Sequence, residues 1–350
     1  MPGPVKAMNS GLILVTGGAG YIGSHTVQEL LKARYKVVVL DNLVYGHRHI
    51  VEEVLNVKLV VGQVGDYNLI RDLLNGKHPA CCGQPVIAVI HFAAYAYVGE
   101  SVKDPSKYYR NNLGDSLVLL EALKEEKERR NGKPIPLVFS STCATYGTPE
   151  QTDIPITEKT PQYPINPYGR SKLMVEQMII DFWEAYEMPS VIFRYFNAAG
   201  ADPCGNLGEM HKPETHLIPL AIETALNKKS YLEIFGTDYQ TPDGTCIRDY
   251  IHVNDLADAH IKGLEHVLDR GGINIYNLGN GEGYSVKEVV KTVEEITGGE
   301  IPLKHKDRRQ GDPPVLVAKS DKVKEELGWK PKFTNLSTII RDAWKWHRNQ

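Results

Sequence analysis

The sequence predicts a doubly wound parallel α/β sheet with a smaller C-terminal α/β lobe. Three observations predict it. Short apolar runs alternate with stretches of helical spacing from Leu12 to Phe196. A glycine-rich turn sits between the first apolar run and the first helix. After Asn197 the alternation stops, and 198–213, rich in Gly and Pro, reads as a long loop.

The first element is the run Leu12 to Val15, a buried strand. Thr16-Gly17-Gly18-Ala19-Gly20-Tyr21-Ile22-Gly23 follows, and Ser24 to Ala33 carries Val27, Leu30 and Leu31 at helical spacing. Gly18, Gly20 and Gly23 fit G-x-G-x-x-G, and Gly17, Gly20 and Gly23 fit the related G-x-x-G-x-x-G. Glycine permits the sharp turn and lets a pyrophosphate approach without a Cβ in the way. The helix N-terminus offers that phosphate free N–H groups and a positive dipole end. The second strand, Val37 to Leu40, ends at Asp41. A carboxylate there can accept both ribose hydroxyls of NAD and repels the 2′-phosphate of NADP.

Further along, the pattern predicts a helix around His47 to Leu55, a strand at Lys58 to Val61 and a short helix to about Asn75. A Gly/Pro/Cys loop, 77–85, precedes a strand at Val86 to His91. A long helix is expected over Ser106 to Glu126, a strand over Leu137 to Ser140, a helix over Pro167 to Tyr186 and a strand over Val191 to Phe196. Pro167 suits a first helical turn. In parallel sheets ligands lie beyond the carboxyl ends of strands. Asp41, Gly65-Asp66-Tyr67, Phe92-Ala93-Ala94 and Ser141 to Gly147 all fall there. The expected domains are 1–197 and 198–350. Asn274 to Leu278 reads as a strand returning to the first sheet, so 254–279 is expected to rejoin the first domain.

Composition narrows the function. The balance, 42% hydrophobic and 24% charged, is that of an ordinary soluble globular protein. A net charge of −3 gives no basic field for nucleic acid, so an anionic ligand must be held by local cations and helix ends. No apolar run reaches membrane-spanning length, and Met1 to Ser10 lacks the apolar core of a signal peptide. The five cysteines are scattered without a C-x-x-C, which suits the reducing cytoplasm, and no metal site is expected.

Tyr168 and Lys172 lie four apart on a predicted helix, hence on one face. Free tyrosine, with a pKa near about 10, is a poor base at neutral pH. A neighbouring cation together with a positive nicotinamide favours the phenolate. That base can take a proton from a sugar hydroxyl as hydride leaves the same carbon. A Tyr-x-x-x-Lys match is weak alone, since 18 tyrosines give about one by chance. Its weight comes from lying downstream of the glycine turn and after a strand ending in Ser140-Ser141-Thr142, whose hydroxyls can bridge substrate and tyrosine.

With these motifs in place, nearly the whole chain resembles the extended short-chain dehydrogenases/reductases, which share the Rossmann-type sheet, and within them the UDP-galactose (UDP-glucose) 4-epimerases. The resemblance is carried by the glycine turn through His25, His91-Phe92-Ala93-Ala94, Val98-Gly99-Glu100-Ser101, Asn166-Pro167-Tyr168-Gly169, Arg194-Tyr195-Phe196-Asn197 and Asp243 to Val253. It implies that Tyr168 is the base, Lys172 holds the nicotinamide ribose and Thr142 stands beside the reacting hydroxyl. It implies NAD against Gly17, Gly20, Tyr21, Ile22, Gly23, Asp41, Asn42, Asp66, Tyr67, Phe92, Ala93, Ala94, Asn112, Ser140, Tyr168, Lys172 and Tyr195. It implies a UDP-sugar against Thr142, Tyr168, Asn197, His216, Leu217, Glu233, Phe235, Arg248, Arg309, Asp312 and Leu316. Arginine suits the diphosphate because its planar fork makes two charge-assisted hydrogen bonds. Members with a small residue aligned to Leu316 accept N-acetylated sugars, and those with tyrosine exclude them. The family further suggests a homodimer through the helices of 106–126 and 167–186.

The chain departs from the family in two places. Ala96 stands where many members have lysine. The family's site after the strand usually reads Ser-Ser-Ala-Thr-Val-Tyr-Gly, while here Thr142-Cys143-Ala144-Thr145-Tyr146-Gly147 stands. With Ala94-Tyr95-Ala96-Tyr97 this resembles the UDP-xylose/UDP-arabinose 4-epimerase branch, so a UDP-pentose stays open beside a UDP-hexose. A 4,6-dehydratase needs an Asp-Glu pair, and a UDP-glucuronate decarboxylase a Glu, where Cys143 and Ala144 stand. A non-catalytic NAD-binding regulatory protein would be expected to lack Tyr168 or Lys172.

Overall fold

The protein, seen in a computed structural model, is described over residues 11–309 and 312–350. Met1 to Ser10, Gln310 and Gly311 lie outside the described residues. The first half runs β1 (Leu12–Thr16), α1 (Tyr21–Lys32), β2 (Lys36–Asp41), β3 (Lys58–Val61), α2 (Tyr67–Leu74), β4 (Val86–His91), α3 (Val98–Lys103), α4 (Pro105–Tyr108), α5 (Asp115–Arg129), β5 (Leu137–Thr142), α6 (Pro167–Tyr186) and β6 (Ser190–Tyr195). The second half runs β7 (Asn197–Ala199), α7 (Leu217–Ala225), β8 (Leu232–Phe235), β9 (Ile247–His252), α8 (Val253–Arg270), β10 (Ile273–Leu278), β11 (Gly283–Ser285), α9 (Val286–Thr297), β12 (Leu303–Lys306), β13 (Val315–Leu316), α10 (Asp321–Leu327) and α11 (Leu336–His347).

Every residue of β1 is buried, which explains its unbroken apolar run: a central parallel strand is covered on both faces. The main sheet has the order β10-β6-β5-β4-β1-β2-β3, with every pairing parallel. The chain winds outward from β1 through β2 and β3, then crosses back to β4. Strand order therefore reverses between β1 and β4, the place where ligands bind such sheets. One face packs against α1 and α8 through Val27, Leu30, Leu256 and Leu264. The other packs against α2, α5 and α6 through Leu73, Leu119, Leu123, Val175 and Ile179. The late elements α8 and β10 thus complete the first sheet. A separate core of Ile218, Ile222, Val289, Val293, Ile339 and Ile340 joins α7, α9 and α11. Beside it, β7, β11 and β13 all pair with β9, and β8 pairs with β12.

The expected helix over 106–126 is interrupted. A π-helical turn at Tyr109–Gly114 separates α4 from α5, which runs on to Arg129. The wider turn lets Asn112 and Ser116 point inward. The Asn112 amide bonds both backbone groups of Tyr95 and the Ser171 hydroxyl, and Ser116 Oγ donates to the Asn112 carbonyl at 2.6 Å. The helix expected around 47–55 likewise winds as a π turn at Ile50–Val54. Strand β5 continues two residues past Ser140, so Ser141 and Thr142 are held in the sheet against β6.

Candidate active site

A cavity of about 1190 Å³ runs from the carboxyl ends of the main sheet to the smaller sheets. At one end it is walled by Gly17, Gly20, Tyr21, Ile22, Gly23, Asp41, Asn42, Phe92, Ala93 and Ala94. Ser140, Thr142, Tyr168, Lys172 and Tyr195 form its middle. Asn197, His216, Leu217, Glu233, Phe235, Arg248, Arg309, Asp312 and Leu316 line the far end.

The glycines have three separate duties. Gly17 has φ +73°, a left-handed turn, and a Cβ there would meet Ala93 N at 2.6 Å. A Cβ on Gly23 would lie 2.2 Å from the Gly17 carbonyl, so helix and turn could not pack as closely. At Gly20 a Cβ would find only the Gly17 oxygen, at 3.4 Å, and would project into open space. That space suits a pyrophosphate. No side chain caps the start of α1, so its first N–H groups are left for an anion. Asp41 is buried, and each of its oxygens accepts one N–H, from Ala19 at 3.0 Å and Leu43 at 2.8 Å. Each oxygen keeps a lone pair, as a ribose diol requires. The residues therefore fit a dinucleotide with an unphosphorylated adenosine ribose.

Three expected cofactor residues do not line the cavity. Asp66 caps α2, accepting from Leu69 N at 3.1 Å, and Tyr67 bonds Glu125 on the outer surface. The cavity reaches instead to Gln63 and Val64, just before them. Asn112 is buried one layer back, where its amide fixes Tyr95 and α6.

Asn166 caps α6 by accepting from Gly169 N at 2.8 Å, and Tyr168 and Lys172 project from the first turns of that helix. Lys172 is buried and donates to the Ser140 carbonyl at 2.7 Å. Burial pulls the ammonium down to about 7, against the opposing pull of Glu176. Burial also holds the Tyr168 phenol above its ordinary range, with Tyr195 adding to the rise and Thr142 offsetting it. The buried lysine by itself does not lower the tyrosine; the phenolate is expected only from the cation and a positive nicotinamide acting together. Two buried groups share too little water to hold charge, and a positive cofactor ring is what would tip the balance. Tyr195 in turn hydrogen-bonds Ser140.

Several residues support the site that the sequence offered only as motif members without a role, or, like Glu176, not at all. Arg194 and Glu176 form a buried pair at 2.6 Å that also engages Ser141, Gln162 and Tyr146. Glu176, one turn beyond Lys172, was the available signal. Tyr97, Cys143, Phe196, Cys246 and Tyr250 also line the cavity. Burial pushes the Cys143 thiol up to about 12, so it is no nucleophile at neutral pH. Ala96 lines the cavity as well. The nearby Lys107 ammonium lies 4.4 Å over the Tyr95 ring but is neutralised by Glu100 at 2.7 Å.

At the far end, Asp312 holds the Arg248 fork at 2.5 Å, and the Arg309 guanidinium stacks 3.9 Å from the Phe235 ring centroid. The buried Asp249 accepts N–H groups from Asn280, Gly281 and Ala318, tying β9 to the segment after β13. In that register Leu316 sits opposite Arg248. Burial raises the Asp249 carboxyl to about 6 despite those bonds.

The chain matches the NAD dependent epimerase/dehydratase family over residues 13–279. It is 48% identical to a UDP-glucose 4-epimerase of Halalkalibacterium halodurans over 96% of this chain and 95% of that protein. It is 42% identical to a probable UDP-arabinose 4-epimerase of Arabidopsis thaliana, covering 96% of this chain and 80% of the other. Its fold superposes on the crystal structure of UDP-glucose 4-epimerase from Brucella ovis in complex with NAD, with a TM-score of 0.86 and 46% identity over 95% and 97% of the two chains.

Proposed function

The chain belongs to the NAD-dependent epimerase/dehydratase family, and from that premise we infer that it is an NAD-dependent UDP-glucose 4-epimerase, interconverting UDP-galactose and UDP-glucose. The observation that carries the reading is the position of Tyr168 and Lys172, between a glycine cradle at one end of a single cavity and two arginines at the other.

NAD supplies reversible oxidation at sugar C4. The chain supplies the rest. Tyr168 Oη takes the proton of the 4-hydroxyl, with Thr142 Oγ1 bridging the two, and later returns it. Lys172 holds the nicotinamide ribose and adds positive charge beside the phenol. Arg248 and Arg309 grip the diphosphate, with His216 beside them. Anchoring the nucleotide while leaving the sugar free lets the 4-keto sugar turn its other face to the same catalytic groups. Phe235, already stacked on Arg309, offers a flat apolar surface at the nucleotide end. The 1–197 part carries the cofactor and 198–350 most of the sugar-nucleotide contacts, with 254–279 rejoining the first.

A second reading, epimerisation of a UDP-pentose, is favoured by Ala94-Tyr95-Ala96-Tyr97 and by the Arabidopsis relative. The test is NMR of product mixtures from UDP-galactose, UDP-xylose and UDP-GlcNAc without added cofactor. UDP-glucose should appear from UDP-galactose. A need for stoichiometric added reductant, or release of NADP on denaturation, overturns the cofactor assignment.

Homodimerisation is part of the proposal. Leu117 on α5 and Met174 on α6 are apolar and exposed, and they give those helices a surface that a second copy would cover. A reducing compartment such as the cytoplasm suits the five free thiols. Among the described residues no helix is long and apolar enough to cross a membrane.

A further inference from the structure

The segment that leads into α7 carries Glu209, His211, Glu214 and His216 within eight residues. Backbone turns bring one ligand atom of each to within 4.8 Å of all the others. Glu209 Oε1 lies 2.8 Å from His211 Nδ1 and also contacts His216 Nδ1. Glu214 Oε1 is 3.9 Å from His211 Nδ1 and is aimed by the N–H groups of Thr215 and His216, at 2.6 and 2.8 Å. The frame is built from elsewhere in the fold. Trp346 Nε1 donates to the Glu209 carbonyl at 3.2 Å, and His47 Nε2 donates to the Met210 carbonyl at 2.8 Å.

Both carboxylates are buried, with side chains 3% and 5% exposed. Among the described residues neither carboxylate pairs with a lysine or arginine; the side chains that pair with them are the imidazoles of His211 and His216. A buried charge of −2 must be neutralised. Two protons on the histidines do so, and so does one divalent cation between neutral imidazoles. One ligand atom from each of the four side chains converges on a single spot. His211 Nδ1 is buried yet finds no acceptor at good hydrogen-bond geometry. Two nitrogens and two oxygens suit zinc, whose bonds to such atoms are about 2.0–2.2 Å. Tetrahedral ligands at that radius stand roughly 3.3–3.5 Å apart. To reach that spacing the Glu209 carboxylate would move apart from both imidazoles and Glu214 would move toward His211.

We propose that Glu209, His211, Glu214 and His216 form a closed four-ligand site for one divalent cation of the zinc class. The ion would pin the long loop to the start of α7, where His216 and Leu217 form the wall of the sugar-nucleotide pocket. Its role is structural, because all four positions come from the protein.

The experiment uses the full chain with its bound dinucleotide, stripped with EDTA and dialysed. Zinc bound after gel filtration is counted by elemental analysis, thermal melting is followed, and the visible spectrum is recorded with Co²⁺ as a probe. The site predicts one equivalent of zinc, a raised melting temperature and tetrahedral Co²⁺ bands without thiolate charge transfer. His211→Gln and Glu214→Gln should each lose that equivalent while keeping the dinucleotide and the native circular dichroism. Should either variant fail to fold, Glu214→Asp and the Co²⁺ bands of the unsubstituted protein decide. No stoichiometric zinc, zinc retained by the variants, or a thiolate band pointing to cysteine ligands overturns the proposal and leaves a proton-sharing Glu-His cluster.

Discussion

At the cofactor end of the cavity the chain presents backbone, and at the sugar-nucleotide end it presents side chains. Gly17 to Gly23 is one contiguous turn whose shape follows from missing Cβ atoms, and Asp41 ends the neighbouring strand. Arg248, Arg309, Asp312, His216 and Leu316 come from segments scattered over a hundred residues and meet only once β7, β9 and β13 have paired. Their charges differ as well. His25, His91 and His260, packed around the main sheet, lose basicity through burial, to about 4, 3 and 4. With no cation bound, His216 gains it, because Glu209 outweighs the burial that would lower it. One end is a local cradle of backbone beside a single carboxylate, and the other is an assembled grip of charged side chains.

The largest effect belongs to the junction between the two ends. Tyr168→Phe removes the base and should lower kcat by about 10²–10⁴-fold. Bound NAD should be retained and the affinity for UDP little changed, since the glycine cradle and the two arginines stay in place. Near-normal turnover by this variant between pH 6 and 10 would take Tyr168 out of the mechanism.

Next come two substitutions that should separate the ends. Arg248→Ala removes charge-assisted hydrogen bonds of about 1.5–3 kcal/mol, roughly tenfold to a hundredfold in affinity for UDP, and should leave NAD in place. Gly20→Val fills the cradle and should do the reverse. Equilibrium dialysis with UDP and mass spectrometry of the released dinucleotide read both. If either variant loses both ligands, the ends are one coupled unit and the contrast fails.

The two ends were unequally legible in the sequence. Glycine spacing, a strand before and a helix after are local facts, so the cradle and Asp41 could be read directly. Tyr168 and Lys172 were legible because helical spacing puts i and i+4 together. Lys172's lowered basicity was not, since it arises from burial against the Phe139 ring, set by tertiary packing, and holds despite the opposing pull of Glu176. Asp66 and Tyr67 could be placed past a strand end from the pattern alone, but their contact with the cofactor, like any role for Asn112, came only from the resemblance. The structure spends Asp66 on a helix cap and Asn112 on positioning, duties that the identity of a residue does not announce. Arg248 and Arg309 were legible as motif members, but their partners, Asp312 and Phe235, depend on pairings between distant strands.

A smaller effect tests the contrast in charge. His260 packs between Phe92 and Phe193, at 4.7 and 4.9 Å, with Nε2 buried and unbonded. Its pKa of about 4 when folded lies below the ordinary value near 6.5, so the unfolded chain binds more protons between those values. Stability should therefore rise with pH from about 4 to 6.5 and gain nothing from this group above that. His260→Phe removes one such proton. The acid limb of melting temperature against pH should flatten by up to about 1.4 kcal/mol per pH unit, roughly 2 °C. An unchanged limb would mean that the ring is protonated in the folded state.

The smallest effect concerns sugar choice and asks whether the grip also reads the sugar. Leu316 is buried with Tyr146, Ile156, Phe196 and Ala318 and lines the cavity opposite Arg248. An acetamide at sugar C2 facing this wall would meet a branched alkyl group and lose water without gaining a partner, at about 1–3 kcal/mol per unsatisfied group. A C2 hydroxyl is smaller and loses less, and a pentose, lacking C6, fits as readily as a hexose. Native protein should therefore turn over UDP-galactose well and UDP-GlcNAc poorly. Leu316→Ser both opens space and adds a hydroxyl, and should move the ratio of kcat/KM toward UDP-GlcNAc by less than about tenfold, the equivalent of one weak hydrogen bond. UDP-xylose should move little, because its C2 group is unaltered. Equal use of UDP-GlcNAc and UDP-galactose by the native protein, or a ratio indifferent to the substitution, would place the gate elsewhere and reduce Leu316 to a packing residue of that apolar cluster.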